Sequence, residues 1–427
     1  MERDPERDVK AQSLSEMEAS TPGTAAVLPE GGLKAWLTVT GGWFILFATF
    51  GYLYSFGVYQ DFYVREYLTN HSTSSIAWIG SFQLMMPFAM GIISGKIFDN
   101  GGFYAVQTVG CLLFTFSLFM LSLAKPFQYY QIFLSQGVGM GLGLGLTYTP
   151  TMAIMTHYFK RRRGLATGIA LTGCSIGAVV FPIMLNQLIP RIGFGPAVRA
   201  TAYIVLGCVI IGLALMRTQY APKRNVKPAN IKSFFSDISY MSTVVGALIT
   251  TFGFYFPIIF LQLYSVQHQI DDNLAFYTIA IMNGTSVIGR IIGNHLADLY
   301  GPFNIQVPCT IITGATIWAV LGVHGKASLI VVSILYGIAS GAWLSLAFLV
   351  LASLAQDASE VGARVGLALA LSSFGSLGAA PVQGSLLGKD FDWIKPISFS
   401  AMMTIGGALF FFITRMLQAK RLNKQKV

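Results

Sequence analysis

Twelve stretches of this chain are long and apolar enough to cross a lipid bilayer, and that property restricts its fold most. Crossing the hydrocarbon core takes about 20 predominantly apolar residues. Lipid offers no partner to a free strand edge or an irregular backbone, so each crossing is expected to be a helix. The runs lie at roughly 33–59, 76–98, 103–124, 129–158, 164–190, 197–217, 238–264, 275–297, 304–323, 328–356, 364–388 and 395–417. Only 11% of the 427 residues are charged, against 54% hydrophobic, too few to cover a soluble surface of this size.

The segments between the runs set the expected orientation. Residues 1–32 are polar and predicted to be a disordered cytoplasmic tail. This tail lacks the apolar core of a signal peptide, so the first run is expected to stay as an uncleaved anchor. The net charge of +10 does not point to nucleic acid. Of the 28 Lys and Arg, seven (Arg65, Lys125, Arg191, Arg199, Lys326, Lys389, Lys395) fall in loops opposite the N-terminus and Arg290 lies within a run. The others share the N-terminal side, which is the bias that places both termini in the cytoplasm. The run Lys160–Arg163 is part of that bias. Cys111, Cys174, Cys208 and Cys309 all lie in apolar runs without metal-ligand spacing, and read as small packing residues. No cofactor, metal or oligomer is called for.

The chain also repeats itself. "TFGY" at 49–52 returns as "TFGF" at 251–254, an offset of 202. Gly137 and Gly141 return as Gly337 and Gly341, and "SIGA" at 175–178 returns as "SLGA" at 376–379, offsets of 200 and 201. Asp99 and Gly102 return as Asp298 and Gly301 at an offset of 199. Four matches in one order indicate a duplicated six-helix unit. The expected organisation is a six-helix bundle at 33–216, a basic cytoplasmic linker at 217–237, a second bundle at 238–417 and a basic tail at 418–427. Two such halves match carriers that hold their substrate between the halves near mid-membrane. Small-residue faces at Gly137/Gly141/Gly145, Gly173/Gly177 and Gly289/Gly293 allow close helix approach, either as static packing or at a moving interface.

Several motifs resemble those of the major facilitator superfamily. "GKIFDNGG" at 95–102 is similar to the family's loop Gly-x-x-x-Asp-x-x-Gly after the second helix, without its closing basic residues, and Asn294 replaces the glycine of the second-half copy. The resemblance implies that Asp99 caps a neighbouring helix and acts as a latch, with Arg364 or the Lys160–Arg163 run as partner and Asp298 as counterpart. An acid beside a helix N-terminus is favourable on dipole grounds alone. "PEGGLKAW" at 29–36 and "YFKRRRGLATGIALTGCSIG" at 158–177 resemble the entry and fifth-helix signatures of the monocarboxylate porters, especially the fungal branch.

"NGTSVIGRIIGN" at 283–294 holds the one charge deep in an apolar run. Asn283, Ser286, Arg290 and Asn294 are spaced 3, 4 and 4 apart and so share one helix face. A polar stripe on a spanning helix must face protein or a water-filled cavity. The repeat places Gly91 where Arg290 stands, so the arginine belongs to one half only. The family resemblance assigns this position to the substrate carboxylate, which suits bidentate guanidinium chemistry. The other reading is an arginine that snorkels towards the interface near Asp298. The monocarboxylate resemblance would also place an aspartate at Ser286 and a lysine near Tyr54, both for proton coupling, and neither is present. The remaining coupling candidates are Asp61 and His295. Tyr52, Tyr54, Tyr255, Gln83 and Trp343 are the expected further cavity residues, suited to a partly planar organic solute.

The expected protein is an all-α membrane carrier with twelve transmembrane helices in two pseudo-symmetric bundles, in the plasma membrane, moving a small organic anion by alternating access, with a proton as a possible second partner. Efflux of a secondary metabolite is the alternative, and a transporter-like sensor without flux is the alternative of another class. No nucleophile–base pair, HExxH or P-loop supports an enzyme or an ATP-driven pump. Asn70-His71-Ser72 is a glycosylation sequon on the outer side, and Asn283 begins a second inside a run.

Overall fold

The computed structural model describes residues 31–219, 231–355, 360–388 and 391–427. The tail through residue 30 and most of the linker lie outside them, as does Lys389. All regular structure among the described residues is helical. Among the described residues eleven helices are long and apolar enough to span a membrane. In chain order they are α1 (Leu33–Tyr67), α2 (Ser75–Asp99), α3 (Phe103–Leu121), α5 (Arg163–Ile192), α6 (Phe194–Leu215), α7 (Ile238–Gln267), α8 (Asn273–Tyr300), α9 (Pro302–Gly322), α10 (Lys326–Ser353), α11 (Val361–Leu387) and α12 (Ile394–Leu422). The twelfth crossing, α4, covers 129–157 as successive helical segments with a π-helical stretch at Phe133–Met140. That stretch begins the glycine-rich run, where backbone hydrogen bonding is easily re-registered.

The expected two-half layout follows from the packing. Within the first half α1 packs on α5 and α6, and α3 on α4; the second half repeats this with α7 on α11 and α12, and α9 on α10. A glycine turns each of the matching corners, one position apart in the repeat: Gly101 after α2 has φ 84° and Gly301 after α8 has φ 102°, a left-handed backbone that only glycine adopts without strain. The predicted glycine faces are static packing within one half. Gly141 and Gly145 of α4 meet α2, with a methyl on Gly145 reaching 2.6 Å from the Met86 carbonyl. Gly173 and Gly177 meet α1, and Gly289 and Gly293 meet α10.

The halves touch along two seams, α2 with α11 and α5 with α8. At the end of the molecule that carries Asp99, Asp298, the start of α1 and Val427, the basic end, contact is close. Gly91 and Gly95 of α2 lie against Gly366 and Gly362 of α11, and Gly164 and Gly168 of α5 lie against Asn294 and Arg290 of α8. The main apolar core of the first half runs on through Phe348–Leu354 of α10 and Val361–Leu369 of α11. At the opposite end α5 and α8 part around a cavity.

Candidate functional site

Arg290 sits near the middle of α8, only 2% exposed, with its carbonyl against Gly168 of the other half. Its Nε and Nη1 are buried with no hydrogen-bond partner, and it takes part in no ion pair among the described residues. It lies in electrostatic reach of Tyr54, Tyr148 and Cys174, all from the first half. A buried guanidinium is costly unless its donors are satisfied. Two unmatched donors between the halves therefore form a place prepared for an acceptor, from water or from a solute.

A chamber of about 20 Å³ borders Arg290, walled by Tyr54 of α1, Asn283 and Ser286 of α8, Phe254 of α7, and Tyr336 and Ser340 of α10. Asn283 donates Nδ2–H to the Ile279 carbonyl at 3.0 Å. Ser286 bonds across the seam, its Oγ lying 2.7 Å from the Ser175 Oγ of α5, and also donates to the Asn283 carbonyl. The arginine does not snorkel: Asp298, two turns on, is bonded elsewhere.

Tyr54 and Tyr255 stand at matching breaks. α1 interrupts its helix at Tyr54–Ser55, and α7 does so at Tyr255, one repeat later. Pro257, which follows the α7 break, has no N–H to continue the ladder. Tyr54 walls both the small chamber and a larger cavity of about 370 Å³ that opens at the end opposite the basic one, between α1, α5, α7 and α8.

The other expected contacts are placed differently. Tyr255 and Trp343 join Phe254 in an aromatic cluster behind the chamber wall, with Phe254 and Trp343 ring centroids 4.6 Å apart and the Trp343 indole N–H unpartnered. Gln83 is buried where α2 meets Gly141 of α4, its Oε1 unpartnered. Asn294 is a seam residue, donating to the Arg290 carbonyl and to Ser345 Oγ at 2.7 and 2.6 Å. Tyr52 faces the core of the first half, where its hydroxyl meets Tyr59 and Thr201. Of the coupling candidates, Asp61 is in the wall of the larger cavity and pairs with Arg65 at 2.7 Å, both largely exposed. His295 is exposed on another face of α8.

The basic end is fastened twice. Asp99 accepts from the backbone N–H of Gly362 (3.1 Å) and Ala363 (2.8 Å), at the start of α11. Asp298 accepts from Gly164 and Leu165, both at 2.8 Å, at the start of α5. Each carboxylate thus caps a helix of the other half, where orphan donors and the helix dipole favour an anion. Arg364 is not the partner of Asp99. It bonds Asp237 at 3.0 Å and Glu360 at 3.2 Å and stacks on Phe234, whose short helix Ile231–Ser236 precedes α7. The sequence reading missed Tyr336, Ser175 and Asp237; of these only Tyr336 carried a signal, a polar residue one repeat from the buried Gln136.

Comparison with known proteins agrees with this architecture. The Major Facilitator Superfamily profile matches residues 36–356. The aspyridones efflux protein apdF of Emericella nidulans is 36% identical over 90% of this chain and 78% of its own length. The Fujikurins efflux protein of Gibberella fujikuroi is 35% identical over 93% and 86%, and the MFS transporter asaE of Aspergillus flavus 34% over 91% and 88%. Among solved structures, the transporter FucP in its outward conformation superposes with a TM-score of 0.65, at 14% identity, over 88% of this chain and 98% of that one. These relatives are named as efflux proteins or facilitator-superfamily transporters, and the narrower resemblance to monocarboxylate porters is not shown by them. A duplicated twelve-helix bundle, two capped seams and a profile match over most of the chain place it together: this protein belongs to the Major Facilitator Superfamily.

Proposed function

We propose that the chain exports an anionic organic metabolite across the plasma membrane by alternating access, with both termini in the cytoplasm and Arg290 as the group that holds the anion. The carrying observation is the pair of unpartnered donors on a buried arginine between the halves. A guanidinium in a low-dielectric site binds a carboxylate or similar anion strongly and with defined geometry. The excess of Lys and Arg at the basic end supports its cytoplasmic placement. With that placement the conformation faces outward, closed by the Asp99 and Asp298 caps and open around the larger cavity.

Export of a secondary metabolite is favoured over monocarboxylate uptake. The relatives named for efflux of aspyridones and of Fujikurins cover most of this chain. The acid that would couple a proton beside Arg290 is replaced by Ser286, which bonds Ser175 instead. The test compares metabolites in medium and cell extracts from cells with and without the protein. An anionic compound should fall in the medium and rise in the cells when the protein is removed. Unchanged profiles on both sides contradict the proposal.

A further inference from the structure

Two chambers of very different size share one wall, and the difference restricts what Arg290 can hold. The chamber at Arg290 measures about 20 Å³, room for one or two waters at ~10–15 Å³ each. A carboxylate fits there; an aromatic ring does not. On the other side of Tyr54 lies the cavity of about 370 Å³, within the usual ~300–1,000 Å³ of small-molecule sites. Most of its lining is apolar, including Val58, Phe62, Pro182, Ile183, Phe276 and Ile279, with Asn186 and Gln262 among them. Its three charged residues, Asp61, Arg65 and Glu66, all lie on α1, two to three turns beyond Tyr54.

We infer that the substrate is an amphiphilic monoanion bound in two parts. Its narrow charged head sits on Arg290, and its apolar body passes Tyr54 and fills the larger cavity. This rests on the anion reading above and adds the substrate's shape. A compact acid would use only the head site, and a dianion would place its second charge among mostly apolar side chains, where burial is unfavourable. Tyr54 is the residue at which both parts meet. It occupies the break in α1, so its side chain can shift with the segment Phe56–Phe62 without disrupting a continuous helix.

The experiment measures direct binding of two tritiated acids, acetate and biphenyl-4-carboxylate, to the full chain in lipid nanodiscs, with empty nanodiscs subtracted. Wild type should bind the biphenyl acid on the order of tenfold or more tighter, because its rings leave water for the larger cavity. Ile183→Trp from α5 and Ala280→Trp from α8 each fill that chamber, and in both the ratio should fall towards one. Monodisperse elution of each variant checks folding. A wild-type ratio near one overturns the two-part site, as does a ratio retained in both tryptophan variants or an equal loss of both acids in them. If acetate binds and Arg290→Ala abolishes it while the ratio is near one, only the two-part site falls. If neither acid binds wild type, the anion reading falls with it.

Discussion

Arg290 is a guanidinium buried between the two halves, with no ion-pair partner among the described residues and two donors unmatched. Charge-assisted hydrogen bonds contribute about 1.5–3 kcal/mol each. Arg290→Lys keeps the charge but loses the planar fork, so flux of the exported anion should fall by roughly tenfold to a hundredfold, and Arg290→Ala should fall at least as far. Flux at wild-type level in both variants, at equal surface expression, would remove Arg290 from the site. Asn283, Ser286 and Arg290 were legible beforehand because helical spacing alone puts them on one face. Tyr52 and Tyr54 could not be separated that way. The break at Tyr54–Ser55 interrupts regular helical phasing, and only Tyr54 lines the chamber. Arg364 was legible as a charged residue at a helix start, but not its partner, since Asp237 lies 127 residues away. That pair is nearly buried, with 3% and 13% side-chain exposure. Breaking one partner of a buried pair costs about 3–5 kcal/mol, so Arg364→Ala should lower the midpoint of thermal unfolding in detergent; an unchanged midpoint would mean the pair is dispensable.

At the scale of helices, the two seams determine which end is open. The Asp99 and Asp298 caps exist only while the basic end is closed, because each joins a helix start in the opposite half. Losing a helix cap costs about 1 kcal/mol, so Asp99→Ala with Asp298→Ala should shift the balance away from this conformation by roughly 5–30-fold. The readout is labelling of Asn186→Cys, in the wall of the larger cavity, by a membrane-impermeant maleimide. Labelling should slow in the double variant; an unchanged rate would make the caps structural only. Gly95→Val tests the same closure sterically, since its side chain would meet the Gly362 backbone. It should slow labelling in the same way, and an unchanged rate would show that the α2–α11 approach is not needed for closure. Most helix limits were readable to within about three residues from hydropathy, because the bilayer fixes their length, but α1 runs on from the expected 59 to Tyr67 and α12 from 417 to Leu422. The short helix Ile231–Ser236 was not, since it packs by one buried side chain, Phe234, rather than by an apolar run.

For the whole molecule, the duplication was written in the sequence and returns as paired seams, paired corners and paired breaks. The site is where the halves differ: α2 has Gly91 at the place of Arg290, and its partner seam is glycine on both sides. Every described acid near the pathway is already engaged or exposed. Asp99 and Asp298 cap helices, Asp237 and Glu360 hold Arg364, and Asp61 pairs with Arg65 at the rim. Flux through reconstituted protein should therefore ignore an imposed pH gradient and follow the membrane potential, as expected when the substrate carries the only translocated charge; flux that tracks the pH gradient at clamped potential would show a coupling proton. The central claim, that Arg290 holds the exported anion, is tested most directly by counterflow. Proteoliposomes are loaded with the anion identified from the metabolite comparison, and entry of its labelled form is followed. Wild type should show a clear overshoot and Arg290→Ala none, at equal amounts of monodisperse protein. An equal overshoot in both would contradict the account.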